Sequence, residues 1–201
     1  MRKLGKLLLI SIALFCTFIL GCLIADNQSL QENLIRLHVV ANSDDTIDQE
    51  NKLAVRDAVI SYLEEKTAGI ATVSEAKAFL EKNLTQIESV VNKKLETIGA
   101  QYRGKVTLAK EKFSKRVYDT FCLPSGIYNS LKIELGKGDG KNWWCVAFPA
   151  LCFPKTEESF RGAAIEAGLQ ETLVDTISND DYKIRFFLLD CLGKIENFLY
   201  F

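Results

Sequence analysis

Across residues 34–41 apolar and polar positions alternate, with Ile35, Leu37 and Val39 on one side of an extended chain and Arg36 and His38 on the other. That period of two predicts a strand covered on one face. Asn42, Ser43, Asp44 and Asp45 end it, because short polar side chains bond local backbone and favour turns and helix starts. Thr46 and Gln49 then have the spacing of a capping box, and Val55, Val59, Tyr62 and Leu63 recur at helical intervals. A helix over residues 47–66 is expected. Thr72 and Glu75 form a second capping box ahead of Val73, Ala76, Leu80, Leu84, Ile87, Val91, Leu95 and Ile98, an apolar stripe with steps of three and four. With a companion helix just before it, the stripe reads as packing on a sheet rather than as a coiled-coil seam.

After Gly99 the period changes to short β-type runs at residues 105–110, 116–121, 127–135 and 142–148, separated by Pro124, Gly126 and the Gly136, Gly138, Gly140 series. Short connections favour antiparallel neighbours. The expected fold class is therefore α+β, with two helices packed on an antiparallel sheet. The tail ends in a further helix whose Ile184, Phe187, Leu188, Cys191, Ile195, Phe198 and Leu199 share one apolar face, expected to dock on the domain.

The first 25 residues are different material. Arg2, Lys3 and Lys6 precede an uncharged, apolar run over residues 7–25, the layout of an export segment. It reads as a signal peptide or an uncleaved membrane anchor, and residues 26–201 as a single extracytoplasmic domain. Removing those three from the 25 basic residues leaves 22 against 26 acidic ones, so the body is mildly acidic. Such a body has no electrostatic footprint for nucleic acid. Cys122, Cys145, Cys152 and Cys191 face an oxidising side, where disulfides form. None of their spacings is that of a zinc site, so no metal and no cofactor is expected. Cys145 and Cys152 bracket a short turn containing Pro149 and are the expected disulfide, with Cys122–Cys191 a second pairing.

His38 is the single histidine and the first place to look for acid–base chemistry. A hydrolase could be assembled from His38, Asp44 and Ser125 or Cys145, but no nucleophile elbow or other hydrolase signature accompanies them. The glycines at 136, 138 and 140 lead into a strand, Asn142-Trp143-Trp144-Cys145-Val146, whereas a phosphate loop needs a helix there. They read as a glycine-rich hairpin. Adjacent Trp143 and Trp144 point to opposite faces of their strand, one entering the core and the other covered by the C-terminal segment or exposed.

Two stretches, LIRLHVVANSDDTIDQENKLAVRDAV at 34–59 and LPSGIYNSLKIELGKGDGKNWWCVAFPALCF at 123–153, resemble the stage II sporulation protein R family of endospore-forming bacteria. Asp45, Ser125, Lys132 and Ala150 depart from the pattern without removing a charged or aromatic feature. The resemblance implies a signal made in the forespore and exported into the space between forespore and mother cell. There it would activate a membrane-embedded aspartic-type protease that processes the precursor of the mother-cell sigma factor E, with no catalytic residues of its own. The expected partner surface joins Arg36, His38, Asn42 and Asp44 to Trp143 and Trp144, an arginine and aromatic centre with a polar rim. The helix of residues 73–98, with Lys77, Glu81, Lys82, Glu88, Lys93 and Glu96, reads as a solvated mixed-charge face.

Overall fold

The computed structural model describes residues 2–149, 157–178 and 184–200. Helix α1 (Arg2–Asn33) leads into strand β1 (Ile35–Val40), followed by helices α2 (Thr46–Lys66) and α3 (Val73–Thr97). Strand β2 (Gly104–Phe113), the short strands β3 (Arg116–Val117) and β4 (Cys122–Leu123), and strands β5 (Gly126–Leu135) and β6 (Asn142–Phe148) come next. Helices α4 (Glu157–Glu166), α5 (Glu171–Ile177) and α6 (Ile184–Leu199) complete the chain. The class is α+β, as the sequence patterns imply.

The main sheet has the order β2-β5-β1-β6. It is mixed rather than wholly antiparallel: β2 pairs antiparallel with β5 and β6 antiparallel with β1, but β1 and β5 run parallel. The reason is non-local. A parallel pair needs a long crossover, and the chain from α2 through β2 supplies one, so β1 inserts between β5 and β6. The glycine loop over residues 136–141 is consequently no tight hairpin between neighbours; it straddles the end of β1. Gly136 and Gly138 have φ of 57° and 67°, and a Cβ on Gly140 would lie 2.2 Å from the Ser43 carbonyl oxygen. Only glycine permits both that backbone conformation and that approach.

Both faces of the sheet are covered. On one, Ile35, Leu37, Val39, Leu131, Ile133 and Val106 pack against Val55, Val59, Leu63, Leu80, Ile87, Val91 and Leu95 of α2 and α3. Each such buried aliphatic side chain contributes roughly 1.5–3 kcal/mol. The α3 start carries the expected capping box, with Glu75 N donating to Thr72 Oγ1 and Thr72 N to a Glu75 carboxylate oxygen, both at 3.2 Å. The box expected at Thr46 does not form: Asp45 is the N-cap without a side-chain bond, and Gln49 donates instead to the Ser43 carbonyl. Glu88 is likewise no solvated charge, since its carboxylate accepts from Val106 N at 3.0 Å and ties α3 to β2.

The opposite face carries a second core. Leu23, Leu30 and Leu34 meet Phe113, Phe121, Tyr128 and Val146 there, together with Phe160, Val174, Ile177, Phe186 and Leu189 from α4, α5 and α6. Helix α1 runs unbroken past residue 25, so its last turns belong to this core while its apolar N-terminal part is exposed. Helix α6 docks with the face opposite to the expected one. Phe186, Leu189, Asp190 and Gly193 are buried, and Ile184, Phe187, Leu188, Ile195, Phe198 and Leu199 point outward.

Candidate functional site

Because α1 and α4–α6 cover the second face, β1 is buried along its whole length and Arg36 and His38 lie inside. Arg36 is 0% exposed, which corrects the expectation that it projects to solvent. Its Nε donates to the Cys145 carbonyl at 3.1 Å and its Nη2 to the Tyr118 hydroxyl at 2.7 Å. The guanidinium lies 4.3 Å from the Phe113 ring centre and 5.2 Å from that of Tyr128, so aromatic faces share in balancing the charge. Nη1 has no hydrogen-bond partner among the described residues. Burial pushes the Tyr128 phenol well up, and it donates to the Pro124 carbonyl as a neutral group.

His38 is 6% exposed and fully engaged. Nδ1 lies 3.2 Å from Glu111 Oε2, Nε2 lies 2.8 Å from Asn142 Oδ1, and the ring stacks on Trp144. Burial alone would raise the Glu111 carboxyl, but the His38 contact and the nearby Lys132 charge outweigh it and hold the group below the usual carboxylate range. The proposed hydrolase set is not assembled. Ser125 donates to Asp190 at 2.7 Å, Asp44 accepts from Lys141 N at 2.8 Å, and both imidazole nitrogens face Glu111 and Asn142. General-base chemistry needs a nucleophile within hydrogen-bond reach, and among the described residues the partners of the His38 ring nitrogens are Glu111 and Asn142.

Asn42 and Asp44 act on the loop that straddles β1. Asn42 Oδ1 accepts from Lys137 N, the Asn42 and Ala41 carbonyls accept from Asp139 N and Gly140 N, and Asp44 accepts from Lys141 N. Asn42 Nδ2, the Ser43 hydroxyl and the Tyr102 hydroxyl all donate to the buried carboxylate of Asp48, at 2.7, 2.6 and 2.6 Å. The polar run after β1 thus reads as a clamp. Its side chains are spent inside the protein, though Asp44 itself is exposed.

The two tryptophans point to opposite faces, as their adjacency requires. Trp143 packs on the α2–α3 core under the Arg56 guanidinium, 4.2 Å from the ring centre. Trp144 packs edge-on to Phe113 with Arg116 5.3 Å away, and both indoles are half-buried. Among the described residues, the groups that reach solvent around His38 are therefore Asn142, Trp144, Glu111 and Lys132. Glu111 beside His38, and Lys132 opposite it in register, are brought there only by the β2-β5-β1 pairing; no local spacing signals it. Cys145 is buried, but Cys152 lies outside the described residues, and with it the Cys145–Cys152 pairing. Cys191 is a free thiol, so the Cys122–Cys191 pairing does not form.

A family model described as stage II sporulation protein R matches residues 31–158, from the last turn of α1 through every strand of the sheet. A curated protein of Bacillus subtilis (strain 168), "Stage II sporulation protein R", is 36% identical over 124 residues, covering 62% of this chain and 55% of that protein. The chain thus aligns with little more than half of that relative's length. No solved structure matches the chain.

Proposed function

We propose that this chain, which belongs to the stage II sporulation protein R family, is an exported sporulation signal that activates a membrane-embedded aspartic-type protease, which in turn processes the precursor of sigma factor E. The carrying observation is the match over residues 31–158, set behind an apolar helix that fits a signal peptide or membrane anchor. In this reading the chain crosses the forespore membrane, meets the protease in the intermembrane space, and performs no chemistry itself. The engaged, buried state of His38 supports a structural role for that residue. Nothing in the reading needs a cofactor or nucleic acid.

The docking surface we favour is the rim around His38, with Trp144 as anchor and Asn142, Glu111 and Lys132 beside it. Arg36 and Asn42 support it from within. A half-buried tryptophan flanked by charges is the composition of an interface centre, where truncation typically costs about 2 kcal/mol or more. Cys145 pairs with Cys152 in this reading and holds the turn next to Trp144.

The test is reconstitution of this chain, the candidate protease and the sigma factor precursor in proteoliposomes, with precursor cleavage as readout. Cleavage should require both the chain and the protease's catalytic aspartates. Trp144→Ala should lower it, and Lys82→Ala and Lys93→Ala on α3 should not. Cleavage by the chain without the protease, or equal cleavage whether or not the chain is present, would sink the proposal.

A further inference from the structure

The exposed apolar surface of the described residues is concentrated on two helices that touch. Among the described residues, the large apolar side chains exposed outside α1 and the α6 tail are Ile47, Leu53, Val117 and Ile165, scattered over α2, β3 and α4. On α6 the residues Ile184, Phe187, Leu188, Ile195, Phe198 and Leu199 form one continuous outward stripe, with Phe187 64% and Phe198 80% exposed. A stripe of that kind marks an interaction surface.

Its orientation is fixed by the opposite face. A Cβ on Gly193 would lie 1.6 Å from the Ser125 carbonyl oxygen, so the helix backbone itself sits on the β4–β5 turn. Asp190 accepts from both the backbone N and the hydroxyl of Ser125, at 2.9 and 2.7 Å, and Asn197 donates to the Phe113 carbonyl at 2.8 Å. Residues 186, 189, 190, 193 and 197 lie on one side of a helix, and the apolar stripe on the other. Phe186 and Leu189 together with Gly193, Asp190 and Asn197 hold α6 to the body, and its larger apolar face is left outside.

The position of α6 relative to α1 says what covers that face. The uncharged run over residues 7–25 is about 28 Å long as a helix, close to the thickness of a bilayer's hydrocarbon core. Asp26, the first charged residue after it, pairs with Arg185 at the start of α6, with the Arg185 Nη2 to Asp26 Oδ2 distance 2.6 Å. Glu196, near the other end of α6, accepts from Asn27 and Gln31. Arg185 and Glu196 are about 16 Å apart along α6, yet their partners occupy about one and a half turns of α1. Helix α6 therefore runs across α1, at the level where α1 leaves the apolar run.

We propose that α6 is an interfacial helix, lying in the plane of the membrane that α1 enters, with its outward stripe immersed at the boundary between lipid headgroups and acyl chains. Amphipathic helices bind there through buried apolar area and charge attraction. Here the charges are spent: Arg185 pairs with Asp26, Lys194 with Asp190, and Glu196 with two amides. Binding is then apolar and indifferent to headgroup charge. The inference rests on α1 as a membrane helix and not on protease activation; α6 also lies beyond the family-matched residues.

The experiment uses the full chain in lipid nanodiscs holding one copy each, which excludes coverage by a second copy. Tryptophan is introduced by Phe187→Trp, Phe198→Trp or, as control on α2, Ile47→Trp, and the signal of the unsubstituted chain is subtracted. Replacing the phosphatidylcholine by its acyl-brominated form should remove most of the added fluorescence at positions 187 and 198 and leave that at 47 intact, equally at low and high salt. No quenching at 187 and 198 overturns the proposal. A blue-shifted but unquenched signal there also overturns it, since protein rather than lipid would cover the stripe. Equal quenching at all three positions overturns it as well, because the whole body would then be adsorbed. Two substituted positions keep the result readable if one variant is locally disturbed.

Discussion

His38 and Trp144, paired directly across β1 and β6, stack with ring centres 3.7 Å apart and planes inclined by 18°. The stack closes the top of the buried polar file on β1, and its coupling is measurable. Unfolding free energies of His38→Ala, Trp144→Ala and the double variant should show an interaction of about 0.5–1.5 kcal/mol. His38→Gln, which keeps hydrogen-bonding capacity toward Glu111 and Asn142, should lose less stability than His38→Ala. Additive single effects would mean the rings merely lie close.

Arg36 is a supporting cation, and its loss should be felt as stability. Arg36→Ala strips the Cys145 carbonyl and Tyr118 hydroxyl of a donor and opens a void among three aromatic rings, for a cost of about 3–5 kcal/mol. Arg36→Met fills the volume without a charge to desolvate and should cost less. Denaturant midpoints decide it. An Arg36→Ala chain as stable as the parent would contradict the burial described above.

Burial opposes ionisation of Asp48, but donors from Ser43, Tyr102 and Asn42 overcome it and hold the carboxyl below its ordinary value, while Tyr102 is pushed up to about 12. The folded state therefore binds the Asp48 proton less readily than the unfolded one. The resulting stability is present above the unfolded value of about 3.9 and is lost as pH falls through the lower folded value. Asp48→Asn should be less stable than the parent at neutral pH by about 1–3 kcal/mol, and the gap should narrow as pH falls below about 4. Urea titrations across that range test it, and a gap that stays constant or widens on acidification would show that the carboxylate's charge is not what stabilises the clamp.

Gly193 should be intolerant where Gly162 is tolerant. Gly193→Ala forces α6 off the Ser125 carbonyl and with it the Asp190 hydrogen bonds, a loss of about 2 kcal/mol or more. A Cβ on Gly162 of α4 meets nothing within 4 Å, so Gly162→Ala should be neutral or stabilising by up to about 1 kcal/mol. Limited proteolysis of the two variants provides a second readout, with faster cleavage in α6 expected for Gly193→Ala only. Equal resistance of both would show that α6 adapts without leaving its seat.

Local patterns were enough to determine the α+β class, the α3 stripe with its Thr72–Glu75 cap, the β1 alternation, the opposed tryptophans and the apolar N-terminal helix, because each depends on residues within a turn or two of one another. Periodicity tells which face of an element is apolar, not what that face meets. Only the tertiary structure decided that β1 sits between β5 and β6, that the Arg36–His38 side is covered and bonded to residues more than 80 positions away, such as Tyr118 and Asn142, and that Glu111 faces His38. The same separation explains α6, whose apolar stripe is plain in the sequence but turns outward, while Gly193 and Asp190 seat on the Ser125 turn and Phe186 and Leu189 enter the second core. Which of two faces docks is a matter of shape and hydrogen-bond partners brought from the far side of the chain, and hydrophobicity alone does not carry that information.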